Sequence, residues 1–396
     1  MDPVPDTAVL DGVRLPGRPG RWRLSLANGR IRQIERSTAE GGGLVLPLLA
    51  DIHVHLDKTL TCDRFHTRPA SLADAIAMTA ADRERWTDTD IRDRAARALT
   101  RAHANGIAIM RSHVDWTVLA PPIAWSVLAE LRDAWVGRMT LELASLSPLD
   151  LLAETGEPIA RAVARTNGVL GCFVHQNGDL SRKIARVFDL AEARDLSLDF
   201  HVDECLERDM AGFDGIVAET ARREMTGRVL VGHACSLSVR PESEVSDLLE
   251  QAGEAGIAMT ILPTTNAFLQ DASPGRTPRL RGLAPMHEAR SAGVPVFIAS
   301  DNVRDGFYPH GDYDLLDVYR FAVLTGHLDA EDWIDSIAES PAAWCGARPA
   351  LVENGPADFI WVDADGMDDL ISRPRAARQV WRDGRPLPSA TGSERP

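Results

Sequence analysis

The middle of the chain alternates mostly apolar runs with segments of helical composition, and this alternation limits the possible folds more than any other feature. Eight apolar runs, each ending in polar residues, predict strands at residues 43–54, 107–110, 139–143, 169–174, 196–200, 229–232, 257–262 and 296–299. Segments rich in Ala, Arg, Leu and Glu predict intervening helices, among them 89–105, 181–195, 211–226 and 242–256. Eight such repeats are typical of an α/β fold of the (β/α)8 TIM-barrel class. A doubly wound open sheet is the competing architecture, but no Gly-rich phosphate fingerprint follows any predicted strand.

The two chain ends read differently from the middle. Asp11-Gly12 and Asn28-Gly29 are hairpin signals between short alternating runs. Residues 357–362 and 379–385 read as two further strands. The ends therefore predict a small β domain, formed from both chain termini. Its predicted residues are 1–45 and 350–390, and the catalytic barrel domain takes residues 46–349. Two independent surface hairpins are the alternative.

Composition excludes some partners and locations. The 396-residue chain has a formal net charge of −15, which argues against nucleic acid as a partner. It has no apolar run long enough for a membrane span, and residues 1–6 lack the features of a signal peptide. Its five cysteines are scattered, without C-x-x-C spacing, so we expect a cytoplasmic location. The oligomeric state is left open, with a homo-oligomer among the options.

Polar side chains gather at the carboxyl ends of the predicted strands, which converge on the active site of a barrel. Six of the eight ends carry His or Asp, at His53 and His55, His113 and Asp115, His175, His201, His233, and Asp301. His53 and His55 are two residues apart on a strand, so both imidazoles point to the same side. Such a pair can bind one divalent cation.

Zinc-like or iron-like sites take neutral imidazoles and a carboxylate, with one position left for water. His53, His55, His201 and Asp301 supply that set. A bound metal lowers the pKa of its water from about 16 towards 7. Glu204, three residues after His201, is the candidate proton shuttle.

The other strand-end residues have less definite roles. His233 is a candidate to polarise the reacting centre or hold the attacking oxygen, and Asp301 is a candidate base as well as a ligand. His113 and Asp115 could simply brace one another. His175 is open between a second-metal ligand, a substrate contact and a satisfied histidine.

These motifs together resemble the amidohydrolase superfamily, and specifically its cytosine-deaminase-like branch. The residues that carry the resemblance are 53–59 (HVHLDKT), 111–115 (RSHVD), 201–204 (HVDE), Gly232-His233 and 300–309 (SDNVRDGFYP). The resemblance implies one Fe²⁺ or Zn²⁺ ion on His53, His55, His201 and Asp301, with Glu204 and His233 catalytic. It also implies hydrolytic deamination of an amino-substituted N-heterocycle, in which metal-activated water attacks the ring carbon and ammonia leaves.

The sequence departs from cytosine deaminases where those enzymes read the pyrimidine. Their glutamine after the third strand is missing from residues 145–150, where Pro148 stands in the candidate substrate-binding segment. Asn302 replaces a second aspartate, and Phe307 replaces the usual tryptophan. With His175, these residues are the predicted substrate contacts. Because a mismatched hydrogen-bonding edge is strongly disfavoured, we expect cytosine itself to be a poor substrate.

Pyrimidines, triazines, aminopurines and pterins therefore remain as candidate rings. Two other classes of function also stay open. One is hydrolysis of another non-peptide C–N bond, in an N-alkylamino triazine such as N-isopropylammelide or in a cyclic amide. The other is a metal-binding barrel without catalysis, which the presence of Glu204 and His233 disfavours. The zinc-deaminase fold of base editors is excluded, because its H-x-E and P-C-x-x-C signature is absent.

Overall fold

The structure is a computed structural model that describes residues 7–347 and 351–388, and its strands form two sheets. The first four strands are β1 (Thr7–Leu15), β2 (Arg18–Ala27), β3 (Arg30–Ser37) and β4 (Leu44–Pro47). The next eight are β5 (Leu49–Val54), β6 (Ile107–Asp115), β7 (Thr140–Pro148), β8 (Leu170–Val174), β9 (Leu198–Val202), β10 (Val229–His233), β11 (Ala258–Ile261) and β12 (Val296–Ile298). The last three are β13 (Phe359–Val362), β14 (Arg378–Arg382) and β15 (Arg385–Pro386).

Strands β5 to β12 form an eight-stranded sheet in chain order, as the sequence predicted. The two edge strands approach one another through a parallel bridge between Val54 and Asp301. The backbone N–H of Asp301 donates to the carbonyl of His53 at 2.8 Å, and that of Ser300 donates to Asp51 Oδ1 at 2.9 Å. These bonds nearly close the barrel, so the predicted (β/α)8 class is confirmed.

The second sheet joins the two ends of the chain in the order β15-β14-β13-β4-β1-β2-β3. Its core includes Leu24, Ile31, Val45 and Phe359, all fully buried. Strand β4 pairs with β13, so N-terminal and C-terminal segments share one ladder. The alternative of two independent hairpins is therefore wrong.

The run at 43–54, predicted as one strand, is two strands that belong to different sheets. Pro47 ends β4 because proline has no N–H to continue a ladder. Two residues later, the Leu49 N–H donates to the Gly106 carbonyl at 3.0 Å. The chain thus changes sheets at Leu48.

Fourteen α-helices occur in the described residues. They are α1 (Leu72–Arg83), α2 (Asp88–Ala104), α3 (Ile123–Ala134), α4 (Leu149–Thr155), α5 (Glu157–Arg165), α6 (Leu180–Glu192), α7 (Gly212–Arg223), α8 (Glu242–Ala255), α9 (Pro263–Leu269), α10 (Met286–Ser291), α11 (Leu315–Gly326), α12 (Ala330–Trp333), α13 (Glu339–Trp344) and α14 (Met367–Ser372). The four helices predicted by range correspond to α2, α6, α7 and α8, within three residues at each end. None of the described helices has the length and apolar character needed to cross a membrane.

The chain divides into two compact units. Among the described residues, one contains those from Thr7 to Ala50, Thr100–Ile109 and those from Asp314 to Pro388; the other contains Asp51–Leu99 and Met110–Tyr313. The domain boundaries predicted at 45, 349 and 390 stay a prediction. Residues 1–6, 349, 350 and 390, on which some sequence arguments fell, lie outside the described residues.

Candidate active site

Four predicted ligands meet at the carboxyl ends of the barrel strands. His53 Nε2 lies 3.0 Å from His201 Nε2, which is 3.4 Å from His55 Nε2. Asp301 Oδ1 lies 3.1 Å from His55 Nε2 and 3.7 Å from His53 Nε2. Ligand atoms about 2.0–2.1 Å from a tetrahedral Zn²⁺ are about 3.3–3.4 Å apart, so the donor atoms have the spacing of one such coordination sphere.

The electrostatics of these groups also suit a cation. Burial lowers the pKa of His53, His55 and His201 well below the ordinary histidine value. The imidazoles are therefore neutral, and each retains a lone pair for a metal. Burial raises the pKa of Asp301, which expresses the cost of an isolated carboxylate here. A cation in this cluster would offset that cost.

The backbone at these strand ends is strained. His233 and Asp301 adopt positive φ angles of 71° and 60°, although neither is glycine. Such conformations typically cost about 1–3 kcal/mol and are retained where the surrounding structure enforces them. Gly232 is needed for packing, since a Cβ there would lie 2.7 Å from Cε1 of His53.

Glu204 and His233 lie beside the ligand cluster, where the sequence predicted catalytic groups. His233 Nδ1 is 3.5 Å from Glu204 Oε1 and 3.0 Å from Asn266 Nδ2. Burial, with the neighbouring Asp301 carboxylate, raises the pKa of Glu204 well above its ordinary value. Burial lowers the pKa of His233 to about 4, despite the nearby Asp301. The pair thus brings a buried carboxyl group and an imidazole together at one point.

In the part of the chain that the structure describes, His113 and Asp115 interact with other side chains rather than with each other. His113 packs against the His53 ring, with centroids 4.2 Å apart, and its Nε2 lies 3.2 Å from Asp199 Oδ2. Arg111 Nη1 donates to the same Asp199 oxygen at 3.0 Å. That guanidinium would repel a cation, so we interpret the grouping of His53, His113 and Asp199 as support for the His53 ring rather than a second metal site.

The cluster opens into a cavity of about 600 Å³, a size typical of small-molecule sites. Its apolar lining includes Leu72, Ile76, Leu146 and Phe173. All four predicted substrate contacts, Pro148, His175, Asn302 and Phe307, also line it.

Three of these predicted substrate-binding residues also interact with neighbouring residues of the chain. Asn302 Nδ2 donates to Asp305 Oδ2 at 2.7 Å, and the backbone N–H of Phe307 donates to Asp305 Oδ1 at 2.9 Å. The His175 ring stacks on Phe173 with centroids 5.9 Å apart. Burial lowers the pKa of His175, so its ring is neutral. A planar heterocycle could stack in such surroundings.

Sequence reasoning assigned no role to several groups that line the cavity or support it. Lys58 belongs to the motif at residues 53–59 but was given no function, and neither was Asn266. Arg83 and Phe173 gave no signal, because one lies in a helix and the other inside an apolar run. Only the position of Lys58, three residues after His55, could have suggested that it belongs to the site.

Comparison with known proteins identifies the family. The model of an amidohydrolase family matches residues 122–388, which is more than half of the chain. A pterin deaminase of Rhizobium rhizogenes is 36% identical over 353 residues, covering 87% of this chain and 80% of the relative. The chain belongs to the amidohydrolase family.

Two further likenesses refine this membership. This chain has the fold of 5-methylcytosine deaminase from Klebsiella pneumoniae. The TM-score is 0.86 at 22% identity, and the match covers 98% of this chain and 99% of the other. N-isopropylammelide isopropyl amidohydrolase of Pseudomonas sp. is 21% identical over 330 residues, covering 78% of this chain and 77% of the relative. The family model and the pterin deaminase confirm the predicted amidohydrolase superfamily. The likeness to 5-methylcytosine deaminase shows a shared fold, as expected for the cytosine-deaminase-like branch.

Proposed function

We propose that this amidohydrolase is a metal-dependent hydrolytic deaminase of an amino-substituted N-heterocycle, with a fused, pterin-like ring as the first substrate to test. The observation that carries the proposal is the cluster of neutral imidazoles and a carboxylate at the end of a 600 Å³ cavity, beside a buried acid. The pterin deaminase relative supports the fused ring, because it has the highest identity of the relatives described above.

We propose that His53, His55, His201 and Asp301 hold one divalent transition metal ion, Zn²⁺ or Fe²⁺. When bound, such an ion makes water acidic enough to supply hydroxide near neutral pH. The imidazoles are neutral without any change of protonation, so ion binding does not require the loss of protons from them.

The chain's own groups would handle the protons. In the reaction a water oxygen bonds to the ring carbon, the bond from that carbon to the exocyclic nitrogen breaks, and ammonia leaves. Glu204 takes a proton from the water and delivers it to the departing nitrogen. Its raised pKa suits the second step, since a carboxyl group that holds its proton can donate it.

His233 and Asp301 have supporting roles in this proposal. Neutral His233 can donate from one ring nitrogen while the other accepts from Asn266, whose Nδ2 is 3.0 Å from Nδ1. It would then hold the attacking oxygen as charge develops. Asp301 can serve as base as well as ligand. We propose Pro148, His175, Asn302 and Phe307 as substrate contacts.

The second candidate function is hydrolysis of another non-peptide C–N bond, as in an N-alkylamino triazine or a cyclic amide. The N-isopropylammelide hydrolase relative favours it. So does the apolar part of the cavity at Leu72 and Ile76, which could receive an alkyl group.

Ammonia release from a panel of pyrimidines, triazines, purines and pterins tests the main proposal. We expect at least one ring to release stoichiometric ammonia in a chelator-sensitive reaction. Release of an alkylamine or of a ring-opened product instead would favour the second candidate, and no reaction with any ring would contradict both. The cytoplasmic location and the absence of a nucleic-acid partner stay predictions, and the oligomeric state stays open.

A further inference from the structure

Lys58 is a buried cation in the cavity wall whose role the proposed deaminase chemistry leaves unassigned. It follows β5, lines the cavity and is 3% exposed. Its Nζ donates to Asp115 Oδ1 at 2.7 Å and lies 4.9 Å from the centroid of the Phe307 ring. A buried ammonium is costly unless its three donors find acceptors.

The surrounding charges hold Lys58 in place. Arg83 Nη2 donates to the other oxygen of Asp115 at 2.6 Å, so two cations share this carboxylate. The Asp57 carboxylate is nearby, but its oxygens accept the backbone N–H groups of Lys58 and Asp115 at 2.9 Å each. Burial alone would lower the pKa of Lys58, but Asp115 and Asp57 outweigh it and raise that pKa.

The ammonium therefore has one side-chain hydrogen-bond partner, Asp115, among the described residues. A second N–H can face the Phe307 ring as a cation–π contact. This leaves donor capacity for a ligand in the cavity that Lys58 lines. Two side-chain amides of the cavity lining are engaged elsewhere: Asn302 donates to Asp305, and Gln176 donates to Glu207.

The choice of residue type is itself informative. The sequence has 43 Lys and Arg residues, of which only Lys58 and Lys183 are lysines. Arginine is thus the usual cation of this chain, and a lysine in the cavity is a departure from its own composition. Lysine differs in being a compact point charge with three donors on a flexible stem, whereas guanidinium is a broad planar fork.

The site also lacks the amide donor that its resemblance to cytosine deaminases would supply, since Pro148 lines that part of the cavity. On the basis of the proposed deaminase function, we propose that Lys58 determines specificity by donating a hydrogen bond to a carbonyl oxygen of the substrate. Asp115 and Arg83 are positioning residues that hold the ammonium. The substrates are then amino-oxo heterocycles, in which a carbonyl accompanies the amino group that leaves.

The test compares two rings that differ in this carbonyl and the adjacent lactam N–H, 2-amino-4-oxopteridine and 2-aminopteridine. A hydrogen bond to a charged group is worth about 1.5–3 kcal/mol, or about 10- to 150-fold in kcat/KM. We expect the parent enzyme to prefer the oxo ring by that factor. The kcat/KM of Lys58→Met should fall by that factor on the oxo ring and should change less than about threefold on the other ring.

Lys183→Met is the matched control. Lys183 Nζ also contacts an aspartate, Asp150 Oδ1, at 2.7 Å, but it does not line the cavity. We expect this variant to retain parental activity on both rings. Equal losses on the two rings for Lys58→Met, with its metal retained, would overturn the inference.

Two measurements keep the inference testable on their own. If Lys58→Met does not fold, the parent enzyme still decides, because no preference for the oxo ring would overturn the role of Lys58. If the parent releases no ammonia from any ring, the deaminase proposal fails separately. Binding of 2-amino-4-oxopteridine, followed by its fluorescence, then tests Lys58 alone, and equal affinity of parent and Lys58→Met would overturn it.

Discussion

Two parts of the cavity are built in different ways. We call His53, His55, His201 and Asp301 the floor, and the surface formed by Lys58, Asp115, Arg83, Leu72 and Ile76 the wall. Floor residues are at most 3% exposed and come from strand ends, where the backbone of the barrel fixes them. In the wall, the side chain of Arg83 is 30% exposed and Ile76 is 43% exposed.

The difference follows from what each part does in the proposed reaction. Ligand atoms need positions within a fraction of an ångström, and rigid strands provide this better than loops or helix ends. Recognition of a ring tolerates more adjustment, and a helix such as α1 can vary without disturbing the barrel. Substitutions in the floor should therefore abolish the chemistry, and those in the wall should change substrate preference.

The largest effect is expected from His55→Ala, which removes a floor ligand. The metal should be lost, and kcat should fall by at least about 10⁴, because water then keeps a pKa near 16 instead of about 7. The free energy of unfolding should change by less than about 2 kcal/mol from that of chelator-stripped parent protein. Elemental analysis, turnover and urea melts check this, with exposed His66→Ala as control. Parent protein without Fe, Zn or Mn that stays active after chelation would contradict the metal assignment.

A smaller loss is expected at the edge of the floor, from Glu204→Gln. The amide keeps size and shape but cannot carry the proton, so kcat should fall by about 10²–10⁴. Metal content should remain parental, since all four ligands are unchanged, and His233→Asn should behave similarly. Full turnover would remove Glu204 from the mechanism, and loss of metal would make it a ligand. Exposed Glu154→Gln is the control and should match the parent in both measurements.

A comparison of kcat/KM between substrates tests the specificity of the cavity, separately from the chemistry at the floor, without mutation. Cytosine should be at least about tenfold worse in kcat/KM than the best ring of the panel, or about 1.4 kcal/mol in transition-state binding. The reason is that the cavity lacks the glutamine of cytosine deaminases and has Asn302 where those enzymes have an aspartate. If cytosine is the best substrate, the predicted specificity is wrong, although the proposed chemistry at the floor is unaffected.

The smallest effect is expected from Arg83→Gln. Arg83 contacts Asp115, but its side chain is partly exposed. Partly exposed ion pairs are worth about 0.2–1 kcal/mol, so KM for the best ring should rise by at most about fivefold. Since Arg83 acts through Asp115 and Lys58, kcat should stay parental. A fall in kcat with unchanged KM would place Arg83 in the chemistry instead. Arg182→Gln, which removes an exposed pair with Asp179 away from the cavity, is the control.

Much of the floor was accessible from the sequence. His53 and His55 stand two residues apart at the end of an apolar run, and His201 and Asp301 end later runs. Once the repeated strand pattern predicts a barrel, all of these ends must meet at one rim. The pattern is local in the sequence, so it can be recognised without the tertiary structure. The structure brings the four side chains together as expected.

The wall and the sheet exchange at Leu48 were decided only by tertiary structure. Lys58, Asp115 and Arg83 come from the end of one strand, the end of the next and the last residue of α1, and no spacing in the sequence relates them. Likewise, residues 43–54 read as one continuous strand because both halves are apolar. The two halves pair with different partners, Pro47 with Phe359 and Leu49 with Gly106, and both partners are remote in the chain. Periodicity determines which element forms and which face it buries, whereas the identity of a partner depends on distances between elements. Those distances exist only after the barrel has closed.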